Sequence, residues 1–180
     1  MTALVSPDVA RWRAWSAMIR DFDGVADMHG SGHWNLDADP VPTQAGCADF
    51  VAMTERTAPG DPAQGHVPST YFWIAATDGA PDDDLVGFLH LRHELNAFLL
   101  EEGGHIGYGV RPAARRHGHA TRALALAVAH AHSIGLERVL VTCDVDNDAS
   151  RRTIERNGGV LEDERVGKLR YWIRSGISAA

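Results

Sequence analysis

The sequence is poor in lysine and cysteine, and each shortage excludes a class of protein. The only lysine among the 180 residues is Lys168, near the C-terminus. A Walker-type phosphate loop needs a lysine at the start of a helix, so that class of NTPase is excluded. The two cysteines, Cys47 and Cys143, are too few for a disulfide framework, which favours a reducing, cytoplasmic location.

Long apolar runs and a signal segment are also missing. No stretch approaches the roughly 18 apolar residues that a membrane span needs. Residues 1–7 have neither the basic start nor the apolar core of a signal peptide. The net charge of −7 argues against a general nucleic-acid binder. We therefore expect partners that include neither nucleic acid nor membrane.

The overall composition is that of a globular protein, but the charge is divided unevenly. With 44% hydrophobic and 23% charged residues, 180 residues suffice for one domain with a sizeable core. Residues 1–90 hold 4 Arg against 13 Asp and Glu, whereas residues 91–180 hold 13 Arg and Lys against 11 Asp and Glu. The division suits one cationic and one anionic ligand, or it reflects an acidic half that solvates itself.

The hydrophobic pattern separates a helical first part from a mixed second part. Residues 1–69 predict two helices, at 7–23 with Ser6 as N-cap and at 43–57, joined by a loop rich in Gly and Asp. From residue 70 the pattern predicts strands at 70–75, 85–94, 105–110, 139–145, 160–165 and 168–173, and helices at 115–134 and 148–157. A turn at 78–84 would join the first two strands as a hairpin. The strands at 105–110 and 139–145 flank the long helix, so we expect them to be parallel.

Residues 110–121 form the most informative segment. A strand passes through a short loop into the long helix, whose first-turn N–H groups have no partner within the helix and attract anions. Gly118 lets a phosphate approach the backbone, and Arg115 and Arg116 add forked donors. The segment 107–112 fails the Gly-x-Gly-x-x-Gly dinucleotide pattern at its last position. A diphosphate on a different kind of loop fits these residues.

The run Arg115-x-x-Gly118-x-Ala120 resembles the coenzyme A pyrophosphate loop of the GNAT N-acetyltransferase superfamily, whose pattern is [Gln/Arg]-x-x-Gly-x-[Gly/Ala]. Asn147, followed by a short helix that ends at Gly158, is similar to the family's second cofactor-side motif. Residues 103–108 and 142–150 look like an uncharacterised group of predicted bacterial acetyltransferases. The likeness is good from residue 70 onward and loose over residues 1–69.

The resemblance implies an α/β fold with a mixed central sheet of about six or seven strands, splayed between the two central parallel strands, and helices on both faces. Residues 1–180 would form one domain, with an acceptor-side region at 1–69 and an acetyl-CoA-binding core at 70–180. Acetyl-CoA would be the co-substrate. The cofactor-binding residues that the resemblance implies are Tyr108, Val110, Arg115, Arg116, His117, Gly118, His119, Ala120, Thr121, Asn147, Ser150 and Arg152.

One position departs from the family and leaves the catalytic acid open. Many relatives carry a Tyr seven residues after the Asn, and this chain has Ile154 there. Ile has no proton to give to a leaving thiolate. Tyr108, Ser150 and Cys143 are substitutes, or water serves instead.

The general base is open among several residues. His105 begins the central strand near a position where relatives often carry Glu, and Glu94 ends the neighbouring strand. Each has a structural alternative: His105 as a cap of the glycine turn, Glu94 as an ion-pair partner of an arginine. His90 and His93 are further candidates, and strand alternation sends their side chains to opposite faces.

The acceptor side is indicated only by residue type. Trp34 and His33 lie in the Gly-rich loop of the N-terminal region that walls the family's acceptor site, and His93 is a third candidate contact. Asp37 and Asp39 nearby would attract a cationic acceptor. The ten His residues contain no spacing that brings two rings to one side, so we expect no metal.

These observations predict an acetyl-CoA-dependent N-acetyltransferase that acts by direct attack of a primary amine, carried by a small molecule or a peptide. One alternative is an acyltransferase that uses a longer acyl-CoA. Another is a CoA-binding sensor or interaction module with little catalysis, which the Ile at position 154 motivates. A homodimer through the last strands is suggested by analogy with the family alone.

Overall fold

The computed structural model describes residues 1–76 and 84–176. Four helices and seven strands alternate with short 3₁₀ turns in this part of the chain. Their bounds, in chain order, are β1 Thr2–Val5, α1 Trp12–Arg20, α2 Gln44–Thr57, β2 Ser69–Ala76, β3 Leu85–Arg92, β4 Ile106–Val110, α3 His119–Ser133, β5 Arg138–Asp144, α4 Asp148–Arg156, β6 Val160–Arg165 and β7 Lys168–Arg174.

The strands form two antiparallel sheets. The first has four strands in the order β1-β2-β3-β4, and the second has three in the order β5-β7-β6. The predicted α/β class is confirmed, and the splay between the two central strands interrupts the hydrogen-bonded ladder. The predicted hairpin of β2 and β3 is also confirmed, and its turn at 78–84 lies outside the described residues except for Asp84.

Two apolar cores lie on opposite faces of the first sheet. The stripe of α3 packs on one face together with residues of β4 and β5, and includes Leu124 and Val128. Helices α1 and α2 cover the other face, where Trp15 and Phe50 lie against Phe88. Alternation along β3 sends successive side chains to the two cores, so both faces of the strand are buried.

The N-terminus differs from its prediction. Residues Thr2–Val5 form β1, an edge strand that pairs with β2 and was predicted as coil. The first helix begins at Trp12 rather than at residue 7. Ser6 is not the N-cap. The capping residue in this region is Asp8, which caps a separate 3₁₀ turn before α1 by accepting from the N–H of Ala10. An edge strand of four residues carries too little periodicity to be recognised from sequence.

Helices α2 and α4 and the final hairpin of β6 and β7 follow their predictions closely, whereas α3 begins later than predicted. Thr43 caps α2 by accepting from the N–H of Gly46. Asn147 caps α4 through its Oδ1, and Gly158 follows that helix in the left-handed region. Helix α3, predicted from residue 115, begins at His119, because residues 112–114 form a 3₁₀ turn and Gly118 adopts a left-handed conformation.

Strands β4 and β5 touch only near one end. The N–H of His105 donates to the carbonyl of Leu140 at 2.7 Å, just before β4 begins. Further along, the described residues give β4 no ladder partner other than β3, and β5 none other than β7. The two strands therefore leave a gap at the edge of β4, as predicted.

Candidate functional site

A cavity of about 870 Å³ opens at the gap between β4 and β5. One end is lined by Val110, Ala120 and Asn147, close to the start of α3. The other end lies over the polar faces of β2 and β3 and is walled by the loop that contains Trp34. The cavity thus joins the predicted coenzyme loop to the N-terminal region through one continuous space.

The edge of β4 offers unpaired backbone groups to this cavity. The N–H of Arg111 donates to the carbonyl of Val86 on β3. Because groups alternate along a strand, the N–H and C=O groups of Tyr108 and the N–H of Val110 point away from β3 and into the gap, while the carbonyl of Val110 accepts from Arg115. A narrow, extended ligand arm can pair with this edge as an added strand would.

The turn before α3 has the geometry of an anion site. Arg116 and Gly118 both adopt positive φ angles, 67° and 81°. The first hydrogen bond of the helix runs from the N–H of Arg122 to the carbonyl of Gly118. The earlier N–H groups of the first turn, including those of Ala120 and Thr121, therefore have no partner within the helix. The space beside the Gly118 α-carbon is open.

Three side chains of this loop contact other groups of the protein, so they are less available to an anion than their positions in the sequence suggested. Arg115 lines the cavity, yet its Nε donates to the carbonyl of Val110 at 3.0 Å. The ring of His117 lies beside the carbonyl of Ala114, and His119 Nδ1 lies 2.9 Å from the hydroxyl of Thr2. These contacts hold the loop and leave anion binding mainly to its backbone.

Polar residues of the α4 side line the cavity, but Arg152 does not. Asn147, Ser150 and Thr153 line it at intervals of three residues along one helix face, together with Ala149. The Asn147 Oδ1 accepts from the N–H of Ser150 at 3.0 Å. Arg152 points to solvent and pairs with Asp148, so it is not part of the lining.

Tyr108 brings a phenol from β4 to the cavity, where it meets a side chain of α4. Its hydroxyl lies 2.9 Å from the Oγ of Ser150, and both residues line the space. Burial raises the pKa of Tyr108 to about 12, so the phenol is protonated at neutral pH. Ile154 lies in the core with no exposed surface, so this position contributes no side chain to the cavity.

His105 does not line the cavity. Its Nδ1 accepts the N–H of Leu140 at 2.8 Å, and its ring contacts Trp172 edge-on. Burial lowers the pKa of His105 to about 4, with Arg92 and Arg138 contributing. The geometry does not support the expectation of a general base at His105, because the side chain bridges β4 to β5 instead of facing the reaction space.

The other sequence candidates also separate into those inside and those outside the cavity. Trp34 lines it, whereas His33 beside it bonds the hydroxyl of Ser31. Glu94 is exposed and outside the lining. His93 lies on the α3 side, where its Nε2 is 2.8 Å from the hydroxyl of Thr70. Neither His93 nor His33 is brought to the predicted acceptor site.

His90 and Tyr71 form the floor of the acceptor end. Their rings stack with centroids 3.9 Å apart and an interplanar angle of 14°. Both ring nitrogens of His90 are buried and have no hydrogen-bond partner in residues 1–76 and 84–176. Burial, and then the charge of Arg92, lower the pKa of His90 well below its usual value. His90 therefore lines the cavity with a neutral imidazole whose two nitrogens are buried and have no protein partner among the described residues.

Arg92, two residues further along β3, was not recognised from the sequence. It lines the cavity and is only 9% exposed. Its Nη1 donates to the carbonyls of Gly103 and Gly104, each at 3.3 Å. Burial lowers its pKa to about 10, so the guanidinium stays charged. One pattern in the sequence could have indicated it. Polar and apolar residues alternate over His90, Leu91 and Arg92 at the end of β3, which predicts a polar patch on one face of the strand.

The roof of the acceptor end rests on close backbone contacts. A Cβ at Gly30 would lie 2.4 Å from the carbonyl oxygen of Gly107, and one at Gly32 would meet the ring of Tyr71. Only glycine permits this approach. The loop is therefore seated directly on β4, which positions Trp34 at the mouth of the cavity. Asp37 and Asp39 do not line it.

Two searches of the described residues gave negative findings. No helix in residues 1–76 and 84–176 is both long and apolar enough to cross a bilayer. The same ranges contain no group of three or more His, Cys, Asp or Glu side chains placed to hold a metal ion.

A family model described as an acetyltransferase (GNAT) domain matches residues 6–160. No curated protein has a significant sequence match to the chain. Most of the chain, including most of the loosely matching first part, therefore falls within one family model.

Solved structures share the fold at low sequence identity. RimJ from Mycobacterium smegmatis, in complex with CoA-disulfide, is 21% identical with a TM-score of 0.62, and the match covers 96% of this chain and 81% of that chain. RimL, a ribosomal L7/L12 alpha-N-protein acetyltransferase in complex with coenzyme A, is 17% identical with a TM-score of 0.62, covering 96% and 93%. The microcin C7 self-immunity acetyltransferase MccE, in complex with acetyl-CoA and AMP, is 16% identical with a TM-score of 0.58, covering 96% and 92%.

Proposed function

The chain belongs to the GNAT acetyltransferase family, and from this premise we propose that it transfers the acetyl group of acetyl-CoA to a primary amine. The observation that carries the proposal is one cavity that joins the open edge of β4 and the start of α3 to a buried chamber with an unpartnered imidazole. The donor and the acceptor would meet in the middle, beside Tyr108.

The donor half of the site fits coenzyme A. The backbone edge of Tyr108 and Val110 would pair with the pantetheine arm, and the first-turn N–H groups of α3 would hold the diphosphate. The open space beside Gly118 lets an anion approach these N–H groups. Three family neighbours of the same fold carry CoA or acetyl-CoA by their descriptions, which supports this use of the cavity.

The chemistry needs two proton transfers, and two side chains are placed for them. The amine nitrogen forms a bond to the acetyl carbon while the carbon–sulfur bond breaks. His90 would take the proton that the nitrogen loses, directly or through one water, and Tyr108 would give a proton to the departing sulfur. Backbone donors near Val110 would polarise the thioester carbonyl. Ser150 would then return a proton to Tyr108 by exchange with solvent.

A thermal-shift titration with acetyl-CoA, followed by a CoA-release assay on small amines and peptide N-termini, tests the proposal. We expect acetyl-CoA to raise the melting temperature and at least one amine to release CoA above hydrolysis. Absence of any shift at millimolar acetyl-CoA would overturn the cofactor assignment.

The buried Ile154 favours a second candidate, a CoA-binding module with little catalysis. Stabilisation by acetyl-CoA with no CoA release from any amine would favour the module over the enzyme. Faster release with propionyl-CoA or a longer thioester would keep the transferase and change its donor.

A further inference from the structure

Two arginines are buried among the described residues, and only one of them has carboxylate partners. The guanidinium of Arg170 lies 2.6 Å from Asp163 and 3.0 Å from Glu162. Arg92 has no ion pair in residues 1–76 and 84–176, and its two hydrogen bonds to backbone carbonyls are long, at 3.3 Å each. A buried charge without a counter-charge is costly, so such a group is typical of a site that receives its partner from outside.

The acidic side chains of the cavity do not supply that partner. Asp27, Glu102 and Asp144 line the space. Asp144 pairs with Lys168, and none of the three forms an ion pair with Arg92. The described residues therefore leave the guanidinium of Arg92 without a carboxylate of its own.

The surroundings of Arg92 are neutral and polar. His90 has the same orientation two residues earlier on β3, and Ser69 and Tyr71 lie opposite the two side chains on β2. His90 pairs with Gly107 on β4, whereas Arg92 pairs with the residue before that strand. His90 is therefore the nearer of the two to Tyr108, and Arg92 lies deeper in the acceptor end.

We infer that the acceptor is a small amine that also carries one carboxylate, with the carboxylate on Arg92 and the amine beside His90. The inference rests on the proposed function, because it names the substrate class of that same site. It adds a carboxylate to the cationic acceptor that Asp37 and Asp39 led us to expect from the sequence.

Charge and shape favour a carboxylate over a phosphate monoester. One guanidinium and a neutral imidazole compensate a single negative charge, whereas a phosphate monoester carries close to two at neutral pH. The planar fork of Arg matches the two oxygens of a carboxylate. An anion on Arg92 would also remove the charge that disfavours protonation of His90, and so strengthen it as a base.

A binding experiment tests the anion site without needing turnover. The melting temperature of the CoA complex would be measured with twenty N-acetyl-L-amino acids and with the matching N-acetyl amides. We expect at least one acid to stabilise the wild type while its amide does not, and the difference to vanish in Arg92→Gln. Amides that stabilise as well as acids, or a stronger effect of O-phosphoethanolamine, would overturn the carboxylate assignment.

A kinetic experiment tests the same site in catalysis. For free amino acids and their amides, kcat/KM would be measured in the wild type, Arg92→Lys and Arg92→Gln. We expect at least a tenfold preference for the acid, carried by KM, and we expect this preference to fall in both variants because the acid loses more than the amide. An equal loss for acid and amide would show that Arg92 only supports the residue 103–104 turn, and would overturn the inference.

The two experiments separate the inference from the function beneath it. If acids stabilise the protein through Arg92 and no amine releases CoA, the transferase fails and the anion site stands. If amines are acetylated with no preference for acids, the transferase stands and the anion site fails. The acetyl-CoA thermal shift of each variant confirms that it is folded.

Discussion

The hydroxyl of Tyr108 lies 2.9 Å from the hydroxyl of Ser150, so a strand and a helix that are 42 residues apart share one hydrogen bond in the cavity. Tyr108 comes from β4 and Ser150 from the first turn of α4. Both residues line the cavity, and the proposed mechanism uses the Tyr108 phenol as the proton donor that Ile154 cannot be.

Removing the phenol should therefore slow the reaction without weakening cofactor binding. We expect Tyr108→Phe to lower kcat by about 10- to 100-fold, because a positioned acid contributes on the order of 10²–10⁴ in rate. The KM for acetyl-CoA should change little. Tyr171→Phe is the matched control, because its hydroxyl bonds Glu155 at 3.3 Å and does not line the cavity. Equal kcat in the two variants would remove Tyr108 from the mechanism.

The two positive-φ glycines at the ends of α3 provide a test of the diphosphate site. Gly118 and Gly135 have φ angles of 81° and 90°, and neither has a protein atom near its missing Cβ. Leu at either position should cost about 1–2 kcal/mol of strain. Only Gly118→Leu should abolish the thermal shift with CoA. A retained shift would place the diphosphate elsewhere.

His105 should control acid stability rather than turnover. Its pKa is lowered to about 4 in the folded protein, against an unfolded value near 6.5, so the unfolded chain binds more protons between these values. Stability should be complete above about pH 6.5 and fall as the pH drops towards 4, by roughly 2–3 kcal/mol. Chemical denaturation across this range measures the slope.

Two variants at this position separate the hydrogen bond from the titration. Asn at position 105 offers an oxygen to the N–H of Leu140 and does not titrate, so His105→Asn should flatten the slope and keep most of the activity. His105→Leu leaves that N–H unpaired and should cost about 1–3 kcal/mol at every pH. Loss of turnover in His105→Asn, with its stability retained, would restore His105 as a base.

The pH dependence of the rate should report on His90. Its pKa is held well below the usual value, so the acid limb of kcat/KM should lie below pH 6.5, with activity lost as the pH falls and the imidazole takes up a proton. His90→Asn should remove this limb and lower kcat. A limb that persists unchanged in the variant would assign the base to another group.

The contact between the N-terminal loop and β4 should be disrupted by a single methyl group added at Gly30. A Cβ at Gly30 would lie 2.4 Å from the Gly107 carbonyl oxygen, whereas a Cβ at Gly167, whose φ of 74° is close to the 76° of Gly30, meets nothing within 4 Å. An alanine at either position carries the strain of a positive φ, about 1–2 kcal/mol, so the difference between the two variants reports the contact. Gly30→Ala should lower the free energy of unfolding by about 2 kcal/mol more than Gly167→Ala, or raise the acceptor KM through a displaced Trp34. Equal effects in both variants would contradict the loop's role.

The coenzyme half of the site was predictable because it is local in sequence. A turn, a left-handed glycine and the start of a helix lie within a dozen residues around Gly118, and their chemistry depends mainly on the backbone. The N-cap role of Asn147 is local in the same way. These features follow from residue types and spacing alone.

The acceptor half was not predictable because it is built from distant segments. The side chain that packs on His90 is the ring of Tyr71, from a neighbouring strand, and it stacks on the imidazole. Arg92 has no carboxylate partner among the described residues. Neither fact can be read from the residues next to them in the sequence. The surroundings of His105 could not be predicted for the same reason, since its hydrogen-bond partner is Leu140, on another strand. Strand alternation separated His90 from His93, but only the pairing of strands decided which of them faces the cavity.

The sequence alone predicted the α/β class, because periodicity, caps and turns act over short distances, and its resemblance to a known family predicted the family that the family model shows. The loop for the coenzyme stays a prediction. A cytoplasmic location and a homodimer stay predictions. Only the tertiary structure decided which titratable groups are buried, paired or left open to a ligand. The physical reason is that the pKa of a side chain, and its access to a ligand, depend on what packs against it from the rest of the fold. The scarcity of lysine and cysteine excluded some classes of function but did not show where any functional site lies.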